Sequence, residues 1–291
     1  MAVSDNTNAI FAMRRVGEAL QRLRVDAGLK QDDAAAGLDV SRHTVSKIER
    51  GKAFPTEEQL RTLLDAYKAS AEERAAIAAQ IEQGKSFGRA WWDQPRFQAL
   101  FSGDSHRFFS LEDAAERVLA HSGTYVPGLL QTREYVEAIA AFGQKHESAE
   151  RREAFVEARM KRQDILNRRS PVALDALCLE SALRAIVGGP KVMRVQLRHL
   201  LASAERPNIS LRLIPFAAGA PSAHGASFTI LDFPDGDNRS VVSQERVRGD
   251  TLYDDPAEIR RSRRKFHDLA AHALTQQETI RRMEEIEKEL P

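Results

Sequence analysis

The chain has 291 residues, 42% hydrophobic and 29% charged, with a formal net charge of +1. This length suits a small domain followed by a larger one, or a single large domain, and the near-neutral total gives no sign of a polyanionic partner. The single cysteine, Cys178, excludes an internal disulfide, and no apolar run has the length of a membrane span or the form of a signal peptide. We therefore expect a soluble, cytoplasmic protein with no membrane partner.

The first predicted elements are two short helices separated by a glycine. Apolar residues recur at Val16, Leu20 and Leu23, which predicts a helix with one inward face. Gly28 follows where a left-handed cap would end that helix. The stretch LKQDDAAAGL then starts a second helix, with two acidic residues in its first turn, where the helix dipole favours negative charge.

A third and a fourth helix follow directly. Ser41 is well placed to cap the third helix with its hydroxyl group, and Gly51 marks the end of that helix. Pro55 and Thr56 start the fourth helix. Its core positions are Leu60, Leu63, Leu64 and Tyr67. Because the second and third helices are joined by a tight turn, the region predicts a helix-turn-helix.

The third helix carries a local excess of positive charge on its outer face. Residues 42–52 include four basic residues and one acidic residue. Val45 and Ile48 are three positions apart and therefore share the inner side of the helix. A solvated polar face is one interpretation of the outer side. The turn chemistry, the cap and the local charge together favour the other, in which this helix enters the DNA major groove.

The stretch LRVDAGLKQDDAAAGLDVSRHTVSKIERGKAFPT resembles the DNA-binding domain of the xenobiotic-response-element family, which is of the Cro/lambda-repressor type. The resemblance covers about residues 14–70 and implies an all-α, lambda-repressor-like domain at residues 1–70. Asp39 departs from the family pattern, because it stands where the family usually places glycine in the turn. Asp tolerates left-handed backbone angles better than most residues, so we expect the turn to be kept with some strain.

The same resemblance implies roles for individual side chains. The positions that contact bases in the family are Arg42, His43 and Lys47. Those implied to contact the DNA backbone or an outer base are Gln31, Ser41, Thr44, Arg50 and Lys52. Arg24 and Glu49 match a structural ion pair that ties the first helix to the end of the third, and we expect this pair to be partly exposed.

Residues 71–104 are predicted to be a helical linker. SAEERAAIAAQIEQGK is an alanine-rich helix, and SFGRAWWDQP breaks regular structure after it. The domain boundary is therefore expected within residues 84–95. Trp91 and Trp92 are expected to pack a domain junction, with stacking on a ligand or base as the alternative.

Residues 105–291 are predicted to form an α+β domain with a small mixed sheet, in a chain that is mainly α-helical. VALDALCLE and ISLRLIPF are strand-like segments separated by a helix, and SFTILDF with SVVSQE indicates a hairpin. Two helices close the chain. Over about residues 105–285 the order of VPGLLQT, ARMKRQDIL, GGPKVMRVQLRHLL and LRLIPFAAGAPSAHGASFTILDF resembles the uncharacterised domain that follows the DNA-binding module in many actinobacterial regulators.

The function predicted from these features is sequence-specific transcriptional regulation, with residues 41–50 as the recognition helix and double-stranded DNA as the partner. No nucleophile elbow, phosphate loop or zinc-spaced histidine pair is found in the sequence, so we expect no catalytic residues, metal or cofactor and no enzyme. The C-terminal domain is expected to sense, dimerise or bind a partner. The alternatives are an antitoxin-like protein that sequesters a small companion protein, as the resemblance implies, and a sensor of a small-molecule effector.

A symmetric homodimer held mainly by the region after residue 85 is also expected. One helix-turn-helix reads too few base pairs for useful specificity, so such modules act in pairs on neighbouring half-sites. The apolar residues of the first seventy positions are needed for their own core. The later region offers a possible free sheet edge and the apolar residues of the closing helix, Ile280, Met283, Ile286 and Leu290.

Overall fold

The computed structural model describes residues 9–38, 40–51, 53–86, 91–101, 103–233, 240–246 and 249–291. The chain divides into two compact units, Met1–Ala90 and Trp91–Pro291. The division lies inside the region in which the boundary was expected. Two residues with predicted roles lie outside the described residues. They are Asp39, expected in the turn, and Lys52, expected to contact DNA. In the described ranges, no helix combines the length and the apolar character needed to cross a membrane.

The N-terminal unit is all helical, as the sequence predicts. Its elements are α1 (Ala9–Asp26), α2 (Gln31–Gly37), α3 (Arg42–Glu49), α4 (Glu57–Ala66) and α5 (Ala71–Ser86). Gly28 and Gly51 both adopt left-handed backbone angles, with φ of 71° and 62°, at the second position after α1 and after α3. The Ser41 hydroxyl accepts a hydrogen bond from Thr44 N–H, and Thr56 forms a capping box with Gln59. The predicted caps and stops of these helices are therefore confirmed.

The alanine-rich helix α5 belongs to the core of this unit and does not stand alone as a linker. Ile77 and Ile81 are 3% and 5% exposed and join the core formed by α1, α3 and α4. They are four residues apart, so they share one face of α5, which packs along α1. The remaining residues of the predicted linker, from Trp91, belong to the C-terminal unit. There Trp91 contacts Phe97 and Phe109, with ring centroids 5.1 and 5.2 Å apart.

The C-terminal unit is α+β, and its sheet is mixed, as predicted. The strands are β1 (Arg117–Ser122), β2 (Ala173–Leu179), β3 (Ile209–Ile214), β4 (Phe228–Asp232), β5 (Val241–Arg246) and β6 (Gly249–Tyr253). The helices are α6 (Pro95–Gln98), α7 (Gly103–Ala114), α8 (Arg133–Gly143), α9 (Ala149–Arg162), α10 (Glu180–Arg184), α11 (Pro190–Ala204), α12 (Pro256–Ala270) and α13 (Gln276–Glu289).

The described strands are ordered β3-β2-β1-β4-β5-β6. β1, β2 and β3 are parallel, and helical crossovers join them in sequence, α8 and α9 first and then α10 and α11. β4, β5 and β6 continue the sheet in antiparallel pairs, which confirms the hairpin between β4 and β5. The predicted turn of that hairpin falls largely on residues 234–239, outside the described residues.

One face of the sheet is covered by α12, where Ile259, Phe266 and Leu269 pack against strand residues such as Leu119 and Ile230. The closing helix α13 packs against α11 and β3. Met283 and Ile286 are 0% and 2% exposed, so these two residues serve the core of their own unit and are not available for pairing between chains. They are therefore removed from the apolar residues that the sequence offered for pairing between chains.

Candidate nucleic-acid interface

The inner and outer faces of α3 differ sharply in exposure. Val45 and Ile48 are 0% and 2% exposed and lie in the core of the N-terminal unit. The side chains predicted to contact bases, Arg42, His43 and Lys47, are all exposed on the outer face. Because the buried pair sets the rotation of the helix, these three side chains point away from the core.

Close helix packing holds α3 in this position. Ala35 of α2 is 5% exposed at the contact between α2 and α3, and its carbonyl accepts from Val40 N–H at 3.1 Å. Gly17 of α1 lies against the end of α3, where an added Cβ would be 2.5 Å from the carbonyl oxygen of Ile48. The backbones of α1 and α3 thus approach more closely than any side chain at position 17 would allow. The sequence analysis did not identify Gly17.

Arg24 and Glu49 form a bidentate ion pair between α1 and α3. Arg24 Nε and Nη2 donate to the two Glu49 carboxylate oxygens at 2.6 and 3.0 Å. The side chains are only 10% and 3% exposed, so the pair is buried, not partly exposed as expected. Arg24 Nη1 also donates to the carbonyl of Leu29 at 2.7 Å. The hydrogen bond to Glu49 raises the pKa of Arg24, so this guanidinium stays charged.

Gln31 extends the network from the ion pair to the outer face. Its Nε2 donates to Glu49 at 2.8 Å, while its Oε1 is 3.5 Å from Arg42 Nε. Arg42 Nε also lies 3.8 Å from Asp32, but both of these side chains are 67% exposed, so water screens the pair. Gln31, predicted to contact DNA directly, is thus part of a connection between Glu49 and Arg42.

Tyr67 lies near the Arg24–Glu49 ion pair. The sequence predicted it only as a core residue. It is 4% exposed, and burial together with the Glu49 carboxylate raises its pKa to about 12. The phenol is therefore neutral at physiological pH. A sequence pattern cannot show that this hydroxyl lies near Glu49, because the two residues are 18 positions apart along the chain.

The remaining predicted contact residues surround the start and the end of α3. Ser41 is exposed, and its hydroxyl both caps the helix and lies 3.1 Å from the Thr44 hydroxyl. Thr44 is half-buried, and Arg50, the C-terminal cap residue, is exposed. Ser41 and Arg50 thus flank the helix that carries the three exposed side chains, and Thr44 lies in its first turn.

Each of the two units contains a region that matches a protein-family model. Residues 15–77 match the family model described as Helix-turn-helix domain, and residues 105–285 match the one described as Domain of unknown function (DUF5753). No curated protein and no solved structure matches the chain. The helix-turn-helix supports a DNA-binding regulator in general. Because the second match spans more than half of the chain, the protein belongs to the DUF5753 family and carries a helix-turn-helix domain before its family domain.

Proposed function

We propose that the protein is a sequence-specific transcriptional regulator of the xenobiotic-response-element type that inserts α3 into the DNA major groove. The observation that carries the proposal is the exposure of Arg42, His43 and Lys47 on a helix whose opposite face is buried and whose end is held by Glu49. A recognition helix needs this combination, because side chains read bases only when the backbone behind them is fixed.

The side chains on this face have the chemistry for direct readout. Arg42 and Lys47 can donate to O6 and N7 of guanine, and the imidazole of His43 can donate or accept. Arg50, beyond the end of the helix, is suited to phosphate, which adds affinity without sequence information. Glu49 would repel phosphate if it faced DNA, but its burial against Arg24 removes that penalty.

The first test uses an operator selected from random duplex DNA with the full chain. Arg42→Ala and Lys47→Ala should each weaken operator binding by about 1–3 kcal/mol, because each removes a base contact, and should relax base preference at the matching position. Fluorescence anisotropy at fixed salt measures both effects. Arg50→Ala should instead weaken binding to all sequences alike. It should also reduce the slope of log affinity against log salt concentration by about one.

Arg22→Ala is the matched control, since Arg22 is an exposed arginine on α1 and is not assigned to the interface. It should bind the operator like the wild type. Operator binding that survives both Arg42→Ala and Lys47→Ala would show that α3 is not the recognition helix.

We also propose that the C-terminal unit modulates this activity as a homodimerisation and sensing domain. Its described surface carries large exposed apolar side chains, Phe142 at 81% and Phe216 at 51% among them, and these are the groups that a contact between two chains would cover. Sequestration of a small companion protein is the alternative. A pull-down from the native host would favour it if a stoichiometric small protein were recovered with the chain.

A further inference from the structure

Helix α12 concentrates positive charge in the C-terminal unit. Its sequence, PAEIRRSRRKFHDLA, contains five Arg or Lys residues and two carboxylates, so the helix has a net charge of +3, whereas the whole chain has a net charge of +1. The rest of the chain is therefore slightly acidic. A surface with such a local excess of basic residues is a candidate for binding a polyanion.

The packing of α12 divides its basic residues into two groups. Ile259, Phe266 and Leu269 are buried against the sheet. Arg263 is directed to the sheet as well, where its Nη2 and Nη1 donate to the two carboxylate oxygens of Asp232 on β4 at 2.6 and 3.2 Å. The four others are exposed and recur at positions i, i+1, i+4 and i+5, so they follow one side of the helix. This basic strip consists of Arg260, Arg261, Arg264 and Lys265.

Most of the basic strip has no partner within the described part of the chain. Arg261 lies 3.3 Å from Glu258, one turn earlier on the helix. The other three residues of the strip form no ion pair with any residue that the structure describes. Asp268 follows the strip on α12, but it is exposed and likewise forms no ion pair with the described residues. Three of the four charges therefore face solvent uncompensated.

Folding of the unit does not account for this arrangement. Like charges at positions i and i+4 of a helix repel one another, and the basic strip contains two such pairs. Exposed arginines on other helices of the unit do have partners, since Arg133 of α8 pairs with Glu137 at 2.9 Å and Arg151 of α9 pairs with Glu147 at 2.7 Å. The basic strip lowers the stability of its own helix without gaining an internal partner, which indicates a partner outside the chain.

Phosphate is the partner that the basic strip fits best. Three of its four residues are arginines, whose planar guanidinium groups match phosphate oxygens in a bidentate manner. Duplex DNA carries about one negative charge per 1.7 Å of its axis, so a row of cations on a helix can face several phosphates at once. Binding to a membrane surface would require exposed apolar residues on α12, but Ile259, Phe266 and Leu269 are buried.

We propose that the basic strip binds the phosphate backbone of duplex DNA outside the base pairs contacted by α3. Contacts to phosphate add affinity that depends on salt, but they carry no sequence information. The inference rests on the proposed function in that DNA is the partner of the chain. It does not depend on which helix reads the bases.

The test compares two duplexes of equal length, one with the selected operator at its centre and one with the operator sequence scrambled. The full chain is compared with a strip variant, Arg260→Gln with Arg264→Gln and Lys265→Gln, which leaves the Arg261–Glu258 pair intact. In anisotropy measurements over a series of salt concentrations, the strip variant should bind both duplexes at least about tenfold more weakly at low salt, and its slope of log affinity against log salt concentration should be smaller by about 2–3. The preference for the operator should be unchanged, because the phosphates are the same in both duplexes.

A second triple variant is the matched control. Lys191→Gln, Arg281→Gln and Lys288→Gln remove the same charge from exposed positions of α11 and α13, and this variant should bind both duplexes within about twofold of the wild type. The variant Arg260→Lys with Arg264→Lys keeps the charge of the basic strip. It should keep the salt dependence, because counterion release depends on charge.

Thermal unfolding followed by circular dichroism checks that the variants fold. The strip variant should be at least as stable as the wild type, because the repulsion between like charges is removed. If it does not fold, Arg264→Gln alone should reduce the slope by about one.

Four results would overturn the proposal. They are an unchanged slope on the scrambled duplex in the folded strip variant, an equal loss of affinity in the control variant, a loss confined to the operator, and weaker binding of fluorescent poly-L-glutamate with unchanged binding of DNA. The second would mean a general effect of net charge, and the last would make the basic strip a surface for an acidic protein. Unchanged operator binding in Arg42→Ala and Lys47→Ala, together with the expected loss in the strip variant, would refute only the proposed role of α3.

Discussion

At the residue scale, Glu49 illustrates how a charged side chain on the proposed recognition helix is turned inward. Its carboxylate accepts from Arg24 through two nitrogens and from Gln31, and it is buried beside Tyr67. The network fixes α3 to α1 and reaches Arg42 on the outer face. These residues come from separate helices, so the geometry of the outer face of α3 depends on contacts between residues far apart in the chain.

Breaking the Arg24–Glu49 pair should destabilise the N-terminal unit strongly. Glu49→Ala leaves the Arg24 guanidinium buried without its carboxylate, and we expect a loss of about 3–5 kcal/mol in the free energy of unfolding. Amide hydrogen exchange of residues 16–81 in the full chain measures this unit separately.

The double variant Arg24→Ala with Glu49→Ala should lose less than the sum of the single variants, because no unpaired charge is left. Arg22→Ala, at an exposed position of the same helix, should change the free energy of unfolding by no more than about 0.5 kcal/mol. Additive losses in the cycle would show that the two side chains do not stabilise each other.

At the element scale, local signals located most helices and strands, and tertiary contacts decided the rest. Ser41 and Thr56 act as predicted because a cap depends only on residues within one turn. α5 carries just Ile77 and Ile81 as large apolar residues, so its pattern alone does not show that it packs on α1. β6 was not predicted, since its sequence GDTLY does not alternate, and it forms by pairing with β5.

Replacing Gly17 by alanine should destabilise the N-terminal unit, although helix propensity alone would predict a stabilisation. Alanine in a helix interior is favoured over glycine by about 1 kcal/mol, but Gly17→Ala would place its Cβ 2.5 Å from a carbonyl oxygen of α3. Because this neighbour is backbone, the helices must move apart, and we expect a net destabilisation of about 1–3 kcal/mol.

The same hydrogen-exchange measurement applies, and Gly37→Ala in α2 is the matched control. A Cβ at position 37 meets no atom of the described residues within 4 Å, so this change should be neutral or stabilising. Equal effects of the two substitutions would contradict the close approach of α1 and α3.

At the scale of the whole molecule, the two units have different surfaces. In the described part of the N-terminal unit, Val25 is the one large apolar side chain that is exposed. The C-terminal unit exposes Phe142, Ile186, Val195 and Phe216. This distribution favours pairing between chains through the C-terminal unit, although two of the four residues first offered for pairing, Met283 and Ile286, are buried in it.

The full chain should therefore be a dimer at micromolar concentration, while a fragment of residues 1–90, which keeps α5 in its core, should be a monomer. On a palindromic operator the fragment should bind at least about tenfold more weakly, because it loses the linked second half-site. On a duplex that ends at the edges of a single half-site the two should bind alike, which serves as the control. Sedimentation and anisotropy measure both properties, and a monomeric full chain would exclude this model.

The sequence by itself determined the fold class of each region, the order of most elements, the helix caps and the outward face of α3. Each of these depends on residues close together in the chain, through helix periodicity, strand alternation and turn chemistry. Only the tertiary structure decided the burial of Arg24 with Glu49, the need for glycine at position 17 and the division of the basic residues of α12 between the sheet and the surface. These features join residues such as Arg263 of α12 and Asp232 of β4, which lie on different elements, and only packing shows how close their side chains come.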